Sequence, residues 1–263
     1  MFDGKKLMRS ALVFAPGLQG ARFRAEARIV RALRRPYRPE FKGLRALPFK
    51  DPLVLDIGCN RGISVQSILA VRPDARVIGF EANAALAADT TRWFASDRRV
   101  EIRPFGLGSH AHSIVMHVPR YRGYRFDGLG SLDRSYAERS VGSGWVYGFD
   151  RKHLHLDESV ASIRRLDDLG LRPALIKIYV QGHEDDALAG GAETIAAHEP
   201  VILAPSRHAA VDARLRSAGY KRFVWAGNAF VPEADDGLYV YYMTAATYDK
   251  LAQGLVVGRR EGS

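Results

Sequence analysis

From residue 51 onward, unbroken apolar runs alternate with stretches of helical periodicity. Val54, Leu55 and Ile57 sit in a run (PLVLDI) with no regular polar alternation, the pattern of a strand buried on both faces of a parallel sheet. The pattern returns at 76–80 (RVIGF), 100–107 (VEIRPFGL), 174–180 (ALIKIYV) and 201–204 (VILA). Between these runs, 63–71, 84–96, 187–197 and 208–218 read as helices, the last closed by Gly219. Residues 113–118 predict a short antiparallel strand, and 221–225 with 238–243 (LYVYYM) a final antiparallel pair. Such regular alternation predicts an α/β domain with a mostly parallel sheet.

Residues 121–159 break the rhythm, being rich in Gly, Tyr, Arg and Ser with little periodicity. Their aromatics, among them Tyr121, Tyr124, Phe126, Trp145, Tyr147 and Phe149, argue against disorder. A stretch this long inside a compact domain reads as a segment that covers a substrate. His153 and His155 alternate with Leu154 and Leu156, which suits solvent-facing strand positions better than metal ligands.

Candidate chemistry lies where the strands end. The first apolar run passes into Asp56, Gly58, Cys59, Asn60, Arg61 and Gly62, an acid followed by glycines that let the backbone turn tightly. The second run ends at Glu81, where a carboxylate can accept hydrogen bonds from both ribose hydroxyls of a nucleoside. A dinucleotide fingerprint would need Gly-x-Gly-x-x-Gly without an acid repelling the phosphates. The acid-bearing loop suits S-adenosylmethionine better, since that molecule has a ribose, an amino acid head and a sulfonium but no phosphate. At 174–184 the apolar strand runs into Gln181, Gly182, His183 and Glu184.

Composition narrows the class further. With 263 residues, 47% of them hydrophobic, the chain can bury one substantial core, and one catalytic domain over 51–263 is expected. No apolar stretch approaches the roughly 20 residues of a membrane span, and the run at 11–14 is too short for a secretory signal, so a cytoplasmic location is expected. The single cysteine, Cys59, has no partner for a disulfide and no companions for a structural zinc site, so no metal is expected. Charge is uneven: residues 1–50 hold thirteen Lys and Arg against three acids, an excess of ten, equal to the net charge of the whole chain. Arg24, Arg28, Arg31 and Arg35 recur at helical spacing, with Phe23, Ala27, Val30 and Leu33 on another face, until Pro36 and Pro39 end the helix. The plain reading of this basic N-terminal extension is a solvated helix packed over the sheet; an acidic partner or a membrane surface is the functional alternative.

In this order, VLDIGCNRG, GFEAN, RRLDDL, IKIYVQGHEDDALAGGAETI and EPVIL resemble the FkbM-type methyltransferase family, over roughly residues 51–203. The resemblance implies a Rossmann-like class I methyltransferase fold: a seven-stranded, mostly parallel sheet with an antiparallel last strand, flanked by helices. It also implies S-adenosylmethionine as cofactor and methyl transfer to a hydroxyl of a sugar, glycolipid or secondary metabolite. Asp56, Gly58, Asn60 and Gly62 match the family's cofactor loop, Glu81 its ribose-binding acid and Asn83 the neighbour. Leu107 and Gly108 sit where the adenine edge is met. Lys177, Gln181, Gly182 and Glu184 match the signature Lys-x-Asp-x-[Glu/Gln]-Gly-x-Glu, but Tyr179 replaces its Asp. Ala204 and Pro205 replace a further acid expected after EPVIL. Lys177, Tyr179, His183 and Glu184 are therefore the candidate catalytic residues, with His183 or Glu184 as base. The departure at Tyr179 also admits a degenerate member that binds cofactor without turnover and acts as a partner or regulator. A nucleic acid substrate is not expected, because no nucleic acid module and no Asp/Asn-Pro-Pro-aromatic motif is present.

Overall fold

Two helices come first in the computed structural model, which describes residues 4–232 and 237–251: α1 (Gly4–Leu12) and α2 (Gln19–Leu33). α2 packs on the body through Ala27 and Val30, both buried. Leu33, expected on the same apolar face, is 61% exposed. The helix stops there because Arg34 turns left-handed at φ 47° and Pro36 biases Arg35 away from helical geometry. A 3₁₀ helix at Pro39–Ala46 then buries Phe41 and Leu44. Arg72 donates to the carbonyls of Leu44 (3.2 Å) and Leu47 (3.1 Å), and Phe41, Leu44 and Leu47 join the core under the sheet. The expected boundary at residue 51 therefore does not separate two cores.

The apolar runs form the sheet. β1 (Leu53–Ile57) leads through α3 (Ile63–Val71) to β2 (Arg76–Phe80), and α4 (Ala84–Phe94) leads to β3 (Val100–Arg103). β4 (Gly106–Leu107), β5 (His112–Tyr121) and β6 (Tyr124–Arg125) precede α5 (Arg134–Ser140) and β7 (Leu154–Arg164). The chain continues with β8 (Leu175–Ile178), α6 (Glu184–Ala189), α7 (Ala192–His198), β9 (Val201–Pro205) and α8 (Ala209–Ser217). It closes with β10 (Lys221–Trp225), β11 (Phe230–Pro232) and β12 (Tyr239–Met243). In the main sheet the order is β11-β10-β12-β9-β8-β1-β2-β3. β3, β2, β1, β8 and β9 run parallel, and β12 inserts antiparallel between β9 and β10. This is the expected seven-stranded arrangement with its reversed last strand, and β11 adds an eighth strand at the edge beside β10.

Three expected elements are divided or extended. The strand expected at 100–107 splits because Pro104 has no N–H to donate, so the chain leaves β2 and continues as β4 in a second sheet ordered β4-β7-β5-β6. The helix expected at 187–197 breaks at Gly190–Gly191, where a Cβ on Gly190 would lie 1.8 Å from the Gly108 carbonyl oxygen. Most of all, the segment expected to be irregular from 121 to 159 begins and ends in a long antiparallel ribbon, β5 with β7, register Tyr121↔Leu154 to His112↔Ile163. The antiparallel strand expected at 113–118 is thus the middle of β5 and the alternation at 153–156 opens β7; the rest of the ribbon lacks a clear apolar pattern because its exposed face carries charge, with Arg120 Nε donating to Asp157 at 2.8 Å. Arg122 and Gly123, both at positive φ (49° and 95°), make the two-residue turn from β5 to β6. The irregular part is thus 126–153, and it has a core of its own, Tyr121, Tyr124, Phe126, Val141 and Val146, against which Val13 of the N-terminal segment packs.

Candidate functional site

The carboxyl ends of β1, β2 and β8 meet at a cavity of about 270 Å³. Its floor includes Gly58, Asn60, Glu81, Leu107, Tyr179 and His183, and its other wall comes from Met116 and residues 127–128 and 130–132 of the insertion. An open α/β sheet places its chemistry at this position, beyond the carboxyl strand ends.

The loop after β1 is shaped by backbone approach. Gly58 has φ 78°, and a Cβ there would lie 2.1 Å from the Tyr179 carbonyl oxygen. Gly62 has φ 74°, and its Cβ would meet the Phe94 ring at 2.5 Å. The N–H groups of Gly58 and Cys59 both donate to the Phe80 carbonyl, at 2.9 and 3.0 Å. Cys59 is fully enclosed and burial pushes its thiol up, so it fills the turn as an inert residue.

Asp56 does not face the cavity. It has no exposed surface, and its carboxylate accepts from Lys177 Nζ at 2.7 Å and from Ser64 Oγ. Lys177 also donates to the Gly58 carbonyl at 3.0 Å and points at that of Ile57 at 3.5 Å. Burial alone would pull the Lys177 ammonium down, but Asp56 holds it above its ordinary value. With its donors committed, Lys177 ties β8 to the loop after β1. Lys177 also lines the cavity, whereas Asp56 does not, which corrects the ligand-contacting expectation for Asp56.

Glu81 stands differently. Its Oε2 accepts the Asn60 N–H and its Oε1 the Asn83 N–H, both at 2.9 Å, and it is only 5% exposed, at the cavity lining. Burial is the largest effect on it and pushes its pKa up to about 7, against those two N–H groups, with the nearby Asp127 charge adding to the rise. Each carboxylate oxygen keeps a lone pair for a donor in the cavity. Asn83 itself is spent: its Oδ1 accepts the Leu86 N–H at 3.1 Å as the cap of α4, and it does not line the cavity. Leu107 lines the cavity with Gly106, whereas Gly108 packs against Asp186 of α6 and lies outside the lining.

The residues after β8 divide in the same way. Glu184 is 2% exposed; Oε1 accepts the Val180 N–H at 2.7 Å, and Oε2 accepts that of Gly182 at 2.9 Å. It clamps the loop 180–182 and is not placed as a base. Behind it stands His208, whose Nδ1 accepts the Val211 N–H, so that Nε2 carries the proton and donates to Glu184 Oε2 at 3.2 Å. His183 is half-buried and lines the cavity. Tyr179 lines it too, its ring 5.7 Å from that of Tyr239. The tyrosine hydroxyls of Tyr37 and Tyr239 lie 3.0 Å apart at the same cavity, both pushed up chiefly by burial.

A second pocket of about 480 Å³ shares Gly128, Tyr179 and Gln181 with the first and adds Tyr136, Arg139 and Trp145. The Tyr136 hydroxyl donates to Gln181 Oε1 at 3.0 Å, and Gln181 Nε2 donates to the Gly128 carbonyl, joining the insertion to the loop after β8. Asp127, 8% exposed, accepts from Arg61 Nε at 3.0 Å and brings a second carboxylate to the cavity lining. Sequence reasoning missed Asp127, His208, Tyr37 and Tyr239, because nothing local distinguishes residues brought in from elements far along the chain. No group of three or more metal-binding side chains occurs among the described residues.

Strand order, reversed β12 and a cavity at the carboxyl strand ends define a class I methyltransferase fold. The profile of the methyltransferase FkbM domain matches residues 56–222, and the chain belongs to that family. A 2-O-methyltransferase NoeI from Sinorhizobium fredii (strain NBRC 101917 / NGR234) is 30% identical over 168 residues, covering 55% of this chain and 59% of that protein. The chain thus spans less than two thirds of that relative. Among solved structures, methyltransferase FkbM from Methylobacillus flagellatus KT aligns at 16% identity with a TM-score of 0.47, over 74% of this chain and 44% of that one. An S-adenosylmethionine-dependent O-methyltransferase from Thermotoga maritima aligns at 9% identity and a TM-score of 0.36, over 74% and 60%.

Proposed function

We propose that the protein is an S-adenosylmethionine-dependent O-methyltransferase acting on a hydroxyl of a sugar, glycolipid or secondary metabolite. The observation that carries this reading is the buried Glu81 carboxylate, held by two backbone N–H groups at the cavity lining. The lining fits the cofactor: Glu81 offers acceptors for ribose hydroxyls, and Asp127, paired with Arg61, stands at the same cavity. When bound, the cofactor supplies a methyl group on a sulfonium, an inherently reactive donor.

The chain's own part is to bind, align and hold protons. Glu81 accepts from the ribose. Lys177, Asp56 and Glu184 fix the two adjacent loops that form the cavity floor. The second pocket, with Tyr136, Trp145 and Arg139 on its walls, takes the acceptor, and Tyr179 stands between the two spaces. His183 receives the hydroxyl proton, the role for which a neutral imidazole is suited near neutral pH. Alignment contributes much of the acceleration of such a transfer, so loss of the signature Asp at Tyr179 is compatible with turnover.

That same substitution favours a second reading, a cofactor-binding member without turnover. Calorimetry with S-adenosylmethionine, followed by methyl-transfer assays over a panel of hydroxylated acceptors, separates the two. The enzyme reading expects binding and turnover, with His183→Ala lowering kcat while leaving cofactor affinity unchanged. Binding with no transfer to any acceptor, and none gained in Tyr179→Asp, supports the second reading; no binding at all removes both.

A further inference from the structure

The outward side of α2 carries a pattern that neither the core nor the cavity uses. The helix is already docked through Ala27 and Val30. At about 100° per residue, Leu18, Ala21, Ala25, Ile29 and Ala32 fall on the opposite side with Leu33 beside them, and all six are exposed. Leu18, Ile29 and Leu33 expose 59%, 57% and 61% of their surface, and Phe14 in the preceding connection exposes 76%. A helix face turned only to water is expected to be polar. Along one border of this stripe run Arg24, Arg28 and Arg31, also exposed, and Arg34 and Arg35 follow at the helix end.

Aliphatic side chains flanked by guanidinium groups match a surface that is apolar just below an anionic layer, the outer region of a bilayer containing acidic lipids. Nucleic acid fits less well, since phosphates and sugars are held by hydrogen-bond donors and have no use for a row of Leu, Ala and Ile. A second copy of this chain meeting the same face antiparallel would set the arginine border against itself. We propose that the outer face of α2, with Phe14, docks on an anionic lipid bilayer, the helix axis lying along the membrane surface. The proposal is independent of the methyl-transfer reading, because its test requires neither cofactor nor acceptor.

The test is co-sedimentation of the full chain with vesicles of phosphatidylcholine alone and of phosphatidylcholine mixed with phosphatidylglycerol. Binding is expected only to the mixed vesicles, weakening as salt is raised. At about 1 kcal/mol per basic residue near such a surface, Arg24→Glu with Arg28→Glu and Arg31→Glu should lower partitioning by tenfold or more. Ile29→Ser with Leu33→Ser should lower it as well without altering charge; since all these residues are exposed, unchanged circular dichroism is expected and checked. Equal binding by the wild type and both variants, or no binding to either vesicle, overturns the proposal. So does retention of a single-stranded oligonucleotide without vesicle binding, or a concentration-dependent dimer abolished by the serine variant without vesicle binding.

Discussion

The rim of the parallel sheet and the wall that faces it enclose one cavity by different means. On the rim, buried carboxylates are satisfied within a few residues or one strand away: Asp56 by Ser64 and Lys177, Glu81 by Asn60 and Asn83, Glu184 by Val180 and Gly182. On the wall, aromatic side chains from 121–149 pack on one another and on Leu12 and Val13 of the N-terminal segment, and a few polar contacts, Tyr136 to Gln181, Gln181 to Gly128 and Arg61 to Asp127, connect them to the rim. The comparison teaches that a loop fixed by buried charge keeps its shape through chemistry that leaves a local motif, whereas a wall fixed by packing leaves only composition. It also separates roles that look alike in the sequence. Asp56 and Glu81 both end apolar strands, yet the first is consumed by Lys177 and the second faces the cavity.

If the rim depends on buried charge, removing one partner there should have the largest effect of any change. Lys177→Met leaves Asp56 buried without its counter-ion and should cost about 3–5 kcal/mol in urea unfolding. A loss below about 1 kcal/mol would show that the rim is held by packing, as the wall is.

Glu81→Ala should weaken S-adenosylmethionine tenfold or more in calorimetry, since hydrogen bonds to a charged group contribute about 1.5–3 kcal/mol each. Unchanged affinity would remove the ribose assignment. Glu81 also predicts a pH dependence. Its pKa is raised from 4.5 to about 7 in the folded chain, so between those values the folded state keeps a proton that the unfolded chain has released. This group's contribution to stability is therefore present at low pH and falls as pH rises from about 4.5 through 7. Glu81→Gln should flatten that part of the stability curve, and an identical curve in the variant would contradict the buried, proton-holding carboxylate.

Glu184→Ala should be milder, about 1–3 kcal/mol for two N–H groups left without their acceptor, with turnover falling as the loop of Gln181 and His183 loosens. Kinetics identical to the wild type would return Glu184 to a purely helix-terminal role. The smallest effect belongs to the wall: Tyr136→Phe deletes one hydrogen bond of about 0.5–1.5 kcal/mol. It should raise acceptor KM two- to tenfold while cofactor affinity stays put; a change in cofactor affinity instead would show that rim and wall are not separable.

Much of the rim was legible before the structure, and the reason is physical. Strands buried on both faces must be apolar throughout, so β1, β2, β8 and β9 announce themselves, and left-handed turns in tight contact require glycine at 58 and 62. The roles of side chains at those ends were harder to read. Lys177 and Glu184 carry functional-group chemistry that suits catalysis equally well, and only burial and partner geometry show that both are committed to holding loops. Of the ribbon only the middle of β5 and the alternation that opens β7 were legible; their pairing was not, because it joins residues far apart in sequence, on strands whose exposed face is charged.

By itself, then, the sequence determined the parallel α/β core, the glycine-shaped loop after β1 and the acid at the end of β2, because each is dictated by neighbours within a few positions. Tertiary structure decided which buried acid is neutralised, which histidine reaches the cavity and which one braces Glu184, and that Asp127, Tyr37 and Tyr239 belong to the same space. Those outcomes depend on distances across the sheet and insertion, where desolvation and pairing act between residues that no local pattern connects.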